Sequence, residues 1–299
     1  MNDVSGWIFP GQGSQRVGMG QQQLERSSAA RRVFEEASEA VGMDLTRLCL
    51  EGPLERLTAT ENAQPAIVTC SVACLAMLEE QGLQPAAVAG HSVGEFSALV
   101  AARSLTLAAA VRAVRKRGEL MAQVTEPGGM LAVMGLDAPR VQELCEAVKR
   151  DDVLVVALHN SPGQFVLSGS PAALERFQQR AIPAGASECV RLHVSQAFHS
   201  PLMGRMLEEW RAVVASIPLR MPRCPVILNT TAQAVKTLVC IRRSMVDQLV
   251  APVLWMQCVQ ALVGLGITQV LEVGDSKVVS SLARRTEPSL RTATAQILS

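Results

Sequence analysis

The sequence predicts an α/β fold whose chain is interrupted by a second, smaller α/β unit, and three observations carry the prediction. Short apolar strand candidates alternate with longer helical segments along most of the 299 residues, the pattern of a mostly parallel sheet flanked by helices. A tight Gly-x-Ser-x-Gly corner joins one of those strands to a helix at Ser92. A break at Glu126-Pro127-Gly128-Gly129 opens a stretch with its own strand and helix order, as Pro and Gly clusters do between units.

Taken in order, residues 6–10 form a short apolar strand candidate, and Gly11-Gln12-Gly13-Ser14-Gln15 follows as a loop. Two of its positions carry no side chain, so backbone can approach a ligand there. Residues 84–90 read as a buried strand of small residues, and strong helix formers fill 95–110, which puts Ser92 at a strand-to-helix corner. A helix over 105–123 sets Val111, Val114, Gly118 and Met121 on one buried face. After the break come strand 130–134, helix 138–149, strand 153–159, strand 164–168, helix 171–181 and strand 188–194. That order is β-α-β-β-α-β, the ferredoxin-like pattern. A helix near 201–215, a strand near 226–229, a helical region near 245–263 ended by Gly264 and Gly266, and a last strand at 269–272 complete the reading.

Composition narrows the function classes. Hydrophobic residues make up 48% and charged residues 18%, which excludes a disordered chain. The 28 basic residues against 27 acidic ones leave a net charge of +1, too little to steer nucleic acid or an anionic membrane. Neither is expected as a partner. Met1-Asn2-Asp3 runs at once into Trp7-Ile8-Phe9-Pro10 without the basic and apolar regions of a secretory leader, so a cytoplasmic protein is expected. The apolar stretch 66–78 is interrupted by Thr69, Ser71 and two cysteines and is too short to span a bilayer. The eight cysteines are scattered, and the closest pair, Cys70 and Cys74, has no ligand set around it. Buried reduced thiols are expected, and no metal.

Gly90-His91-Ser92-Val93-Gly94 fits the nucleophile elbow, in which a strained turn lifts a serine oxygen above a sheet. The alternative is a Gly-rich connection whose serine caps the next helix. A nucleophilic serine needs a base, and only His91, His159, His193 and His199 are available. His91 adjoins the serine but points elsewhere on the elbow, His159 and His193 belong to strands, and His199 lies in the loop leaving the inserted unit. Spacing alone leaves the choice open. On the helix over 105–123, Arg112 and Lys116 point away, while Arg115 and Arg117 both flank the apolar stripe at about 100° per residue. Either could hold a carboxylate by two parallel bonds, and either could be a surface arginine with a packed stem.

Jointly, these residues resemble the malonyl-CoA:acyl carrier protein transacylases, the acyltransferases that serve fatty-acid and polyketide synthesis. The resembling blocks are Phe9-Pro10-Gly11-Gln12-Gly13-Ser14-Gln15, Gln64-Pro65-Ala66, Gly90 through Leu99, Arg117-Gly118, Asn160-Ser161-Pro162-Gly163-Gln164, Ala197-Phe198-His199-Ser200, Gln248 with Pro252-Val253, and Glu272-Val273-Gly274. The resemblance implies an α/β-hydrolase-like large domain over 1–126 and 197–299, with a ferredoxin-like subdomain inserted at 127–196 and the active site in the cleft between them. It implies Ser92 as nucleophile, His199 as general base and then acid, and Arg117 as the partner of the free malonyl carboxylate. It assigns the oxyanion to the backbone N–H groups of Gln12 and Val93, the orientation of His199 to the main-chain carbonyl of Gln248, and part of the acyl or pantetheine channel to Asn160. Malonyl-CoA and an acyl carrier protein are the implied partners; no cofactor is implied, and a monomer is expected.

Gln196, Asp275 and Ala122 stand where the family more often has a small or apolar residue, proline and glutamine. Phe198 resembles the malonyl-selective members, which makes malonyl the first choice and a substituted malonyl unit the second. Two other classes remain to be separated: a hydrolase that clears carrier proteins with the same serine and base, and a non-catalytic docking subunit. A carboxylate-reading arginine argues against the first, and an intact Ser92, His199 and Arg117 against the second.

Overall fold

The computed structural model describes residues 5–194 and 196–295; the Met1-Asn2-Asp3 opening, Ser195 and the last four residues lie outside the described residues. Among those described, nine strands form two sheets: β1 (Ser5–Phe9), β2 (Ala87–Gly90), β3 (Gly129–Met134), β4 (Leu154–Ser161), β5 (Gln164–Gly169), β6 (Glu188–Arg191), β7 (Val226–Ile227), β8 (Gln269–Glu272) and β9 (Arg291–Thr294). The larger sheet runs β7-β2-β1-β8-β9 with every neighbouring pair parallel. The smaller runs β4-β5-β3-β6 with every pair antiparallel. The α/β class is therefore as expected.

Burial explains why the two sheets read differently in sequence. β1 and β2 are buried on both faces, as strands of a parallel sheet covered by helices must be, so they appear as continuous runs of small or apolar residues. The smaller sheet alternates. Leu131, Val133, Phe165 and Leu167 face a core of their own beneath the helices Ala138–Lys149 and Pro171–Ala181, while Met130, Ala132 and Val166 join the core of the larger unit. One further tie crosses between the units, a bridge of Leu158 with Val253.

Several elements differ from the sequence reading. The helix formers over 95–110 make two helices, Gly94–Ala101 and Leu107–Ala122, because Arg103 turns into the left-handed region at φ 61° and Thr106 caps the second. The region 245–263 also divides, into Leu238–Asp247 and Trp255–Gly264. Between them Pro252 has no N–H to continue a helix, and the chain pairs against β4 through Val253 N–H to Ala157 O and His159 N–H to Val253 O. The strand expected at 188–194 ends at Arg191, and the helix expected near 201–215 begins as a 3₁₀ turn over Pro201–Met206.

Candidate active site

The site grows from three neighbouring strand ends. In the register Phe9 lies beside Gly90, and Ala89 beside Ile227. The loop holding Gln12, the corner holding Ser92 and the segment holding Asn229 therefore leave the same carboxyl edge of the parallel sheet, in adjacent lanes, which is where open α/β sheets place their ligands. Ser92 sits at φ 50°, a left-handed conformation that costs about 1–3 kcal/mol for a non-glycine residue. The turn is tight enough that a Cβ on Gly90 would lie 2.0 Å from the Gly94 carbonyl carbon, and one on Gly94 would lie 2.5 Å from Phe9 O. Only glycine fits either position.

His199 arrives from the other side, on the chain returning from the smaller sheet, and it too is left-handed at φ 57°. Ser168 Oγ of β5 donates to the carbonyl of Phe198, and Ser200 Oγ donates to Ala197 O at 2.6 Å, which pins the backbone around it. Its Nε2 lies 2.9 Å from Ser92 Oγ, and its Nδ1 lies 2.6 Å from the main-chain oxygen of Gln248. A carbonyl only accepts, so Nδ1 carries the proton and Nε2 is left bare to take one from the serine. Burial pushes the imidazole down to about 3, with the neighbouring Arg117 charge acting the same way. His199 is thus a neutral base at ordinary pH.

Arg117, from the helix Leu107–Ala122, is 1% exposed. Its Nη1 donates to Gln64 Oε1 at 2.8 Å and its Nη2 to Gln248 Oε1 at 3.0 Å, while Nε has no partner among the described residues. Burial lowers it to about 10, opposed by the Glu95 carboxylate, so it stays charged. Arg115, the other candidate on this helix, is turned to Glu119, Asn62 and the carbonyl of Glu61. The ambiguity that helical periodicity left is resolved by what each guanidinium faces.

Ser92, Arg117, His199 and Gln12 line one cavity of about 250 Å³. Met130 and Leu158 of the smaller sheet and Leu192 just beyond it supply an apolar wall. Val93 also lines the cavity, and the backbone N–H groups of Gln12 and Val93 have no hydrogen-bond partner among the described residues. Asn160, nearly buried, has its Oδ1 2.9 Å from His91 Nε2, and it is His91 that borders the cavity. His159 packs edge-on against Phe165, and His193 sits at the cavity rim. The arrangement can bind an acyl group with an anionic end, activate a hydroxyl and stabilise an oxyanion.

Sequence reasoning passed over three groups that hold this site. Asn229 bonds to both flanks of the serine corner, Glu95 bonds to Asn229, and Ser244 bonds to Glu95. Glu95 lay in a quoted motif but carried no role, and Asn229 and Ser244 come from distant segments with no local pattern. Asp275 pairs with Arg16 at 2.7 Å and accepts from Gly20 N–H. It ties down the loop that follows Gln12 and Ser14.

A family model described as acyl transferase domain matches residues 6–295. The chain is similar to the malonyl CoA-acyl carrier protein transacylase of Bacillus subtilis, with 39% identity over 96% of this chain and 91% of that protein. It is also similar to the solved acyl carrier protein S-malonyltransferase of Vibrio cholerae, with 36% identity, a TM-score of 0.95, and coverage of 98% of this chain and 96% of that one. A third similarity is to a malonyl-transacylase solved in complex with its type II PKS acyl-carrier protein, at 34% identity and a TM-score of 0.95, covering 98% and 96%.

Proposed function

The chain belongs to the acyl transferase domain family, and from that premise we propose that it moves a malonyl group from malonyl-CoA to the phosphopantetheine thiol of an acyl carrier protein through an ester on Ser92. One observation carries the reading: a buried guanidinium, Arg117, lines the same cavity as the hydrogen-bonded Ser92 and His199. A site for neutral acyl groups would leave that charge unpaired with every substrate it bound, at a cost it has no reason to bear.

In the proposed cycle His199 Nε2 takes the Ser92 proton as Oγ attacks the thioester carbonyl. The oxyanion meets the N–H groups of Gln12 and Val93, donors of a kind each worth about 10²–10³ in rate. The C–S bond breaks, and coenzyme A leaves with the proton that His199 held. In the second half the carrier-protein thiol gives its proton to His199 and attacks the ester, and Ser92 Oγ departs and recovers the proton. The kinetics are ping-pong. Gln248 serves twice: its main-chain carbonyl steadies the imidazolium at Nδ1, and its side chain holds Arg117. Asn160 acts through His91, fixing the ring that borders the cavity. The exchange of thioester for ester and back is nearly isoenergetic, so acid-base and oxyanion help suffice and no cofactor enters the scheme.

We read residues 1–126 and 197–299 as an α/β-hydrolase-like domain and 127–196 as a ferredoxin-like insertion. Supporting this are the parallel sheet with its serine corner and, in the insertion, the β-α-β-β-α-β order with strand sequence β4-β5-β3-β6. We assign the reaction to the cytoplasm. All eight cysteines are free, which suits a reducing compartment, and among the described residues no helix is long and apolar enough to cross a membrane.

The test is a mass measurement after mixing with malonyl-CoA. The expected result is a stable malonyl increment on the protein, absent from Ser92→Ala and formed orders of magnitude more slowly by His199→Ala. Release of free malonate without an increment would mean a hydrolase. No reaction at all would leave a docking subunit.

A further inference from the structure

Asn229 follows β7 and is fully buried. Its side chain reaches across to the serine corner and touches it on both sides: Ser92 N–H donates to Oδ1 at 2.7 Å, and Nδ2 donates to Gly90 O at 2.6 Å. The amide orientation is settled by chemistry, since a backbone N–H can only donate and a carbonyl can only accept. The brace is closed from behind. Asn229 N–H donates to Glu95 Oε2 at 2.7 Å, Glu95 belongs to the first turn of the helix that the corner opens, and Ser244 Oγ donates to the other oxygen of Glu95 at 3.0 Å. Gln248, which also holds Arg117 and His199, donates from Nε2 to Asn229 Oδ1 at 3.3 Å.

We propose that Asn229 is a positioning residue for the nucleophile: its amide clamps the backbone on either side of His91 and so holds Ser92 in the strained turn that aims Oγ at His199 and leaves the Val93 N–H free for the oxyanion. The inference rests on Ser92 being the acylated serine. At neutral pH no other side chain of similar size fits the two contacts at once. A carboxylate would set an oxygen against the Gly90 carbonyl, and an apolar residue would leave both the Ser92 N–H and the Gly90 oxygen buried without partners, a loss of about 1–3 kcal/mol each. With the clamp gone the corner can relax from φ 50°, which moves the hydroxyl away from a base that hydrogen-bonds to it at 2.9 Å.

The experiment is rapid-quench acylation by malonyl-CoA and, separately, by acetyl-CoA, with Asn229→Ala and the near-isosteric Asn229→Asp. Asn229→Ala should slow the acylation step about 100-fold with KM and the number of active sites unchanged. The malonyl to acetyl ratio should stay within about twofold of the wild type, because Arg117 is untouched. Asn229→Asp, which keeps the shape should the alanine variant fail to fold, should be slow at pH 8. Its rate relative to the wild type should rise as the pH falls to 5.5, since the new carboxyl, once protonated, donates to the Gly90 carbonyl as the amide did. Arg117, His91 and His199 are common to both proteins; Glu95, which accepts from the Asn229 N–H, would couple to the new carboxyl, so the ratio is also taken in a Glu95→Gln background. Acylation by folded Asn229→Ala within threefold of the wild type overturns the inference, as does a pH-independent deficit in Asn229→Asp. A wild type that takes no acyl group on Ser92 would instead overturn the functional reading.

Discussion

At the scale of single residues, charge reading rests on Arg117. Two neutral amides, from Gln64 and Gln248, hold its Nη groups, and among the described residues none of its hydrogen bonds goes to a carboxylate. Glu95 supplies the compensating charge only at a distance. A guanidinium oriented by neutral acceptors keeps its charge available to a substrate anion, which can take a charge-assisted, bidentate pair. Arg117→Ala should therefore cost malonyl transfer roughly 2–4 kcal/mol, about 30-fold to 1000-fold, while acetyl transfer holds steady or rises because the variant no longer buries an unpaired charge beside it. Arg115→Ala, whose partners are Glu119, Asn62 and Glu61, should change neither by more than a few-fold. Competition between malonyl-CoA and acetyl-CoA decides the matter, and loss of selectivity in Arg115→Ala with Arg117→Ala unaffected would reverse the assignment. Periodicity offered both arginines equally; only the neighbours of each, Gln64 and Gln248 for Arg117 and Glu119, Asn62 and Glu61 for Arg115, separate them.

At the scale of elements, the helix Thr60–Glu80 presents the clearest case of structure that the sequence hid. It is buried on every side from Ala63 to Leu75, so its apolar residues show no stripe and the sequence presents it only as an apolar stretch. It matters to the site because it carries Gln64 and Thr60, and Thr60 Oγ1 donates to Gln12 Oε1 at 3.0 Å. The helix Leu107–Ala122 meets it at Gly118, where an added Cβ would lie 2.5 Å from Glu61 Cα and 2.7 Å from Thr60 O. Neither atom belongs to a flexible side chain, so the backbones themselves must part. Gly118→Ala should destabilise by about 1–3 kcal/mol and weaken malonyl transfer more than acetyl, because Arg117 moves away from Gln64. Gly264→Ala meets nothing within 4 Å and is the control. Equal melting temperatures for the two variants would refute this account of the contact. The strand β9 escaped notice for the opposite reason: Arg291-Thr292-Ala293-Thr294 lies at the sheet edge, half exposed and polar.

At the scale of the whole molecule, burying the site sets how stability answers to pH. Glu95 is raised from 4.5 to about 7, chiefly by burial, so folding disfavours its charge: the cost is absent below about pH 4.5 and grows as the pH rises towards 7. His199, lowered from 6.5 to about 3, runs the other way, its cost absent above about 6.5 and growing as the pH falls. Glu95→Gln removes only the first, so its melting temperature relative to the wild type should climb between pH 4.5 and 7 and then level off. A difference that stays flat with pH would contradict the burial of a titrating carboxyl there. The sequence by itself determined what local chemistry encodes: the strand-to-helix corner with glycines on both sides of Ser92, the strand and helix order of the smaller unit, and the set of four histidines from which a base had to come. By resemblance it also offered Gln12, Val93, Asn160, Arg117, His199 and Gln248 as residues of one site, and of these Gln12, Val93, Arg117 and His199 line the cavity. Tertiary structure alone decided the partners. Ser92 and His199 are 107 positions apart, and Ser92 and Asn229 are 137 apart. A hydrogen bond across such a span depends on which strands lie side by side and which way a buried amide turns, and no periodicity along the chain records either.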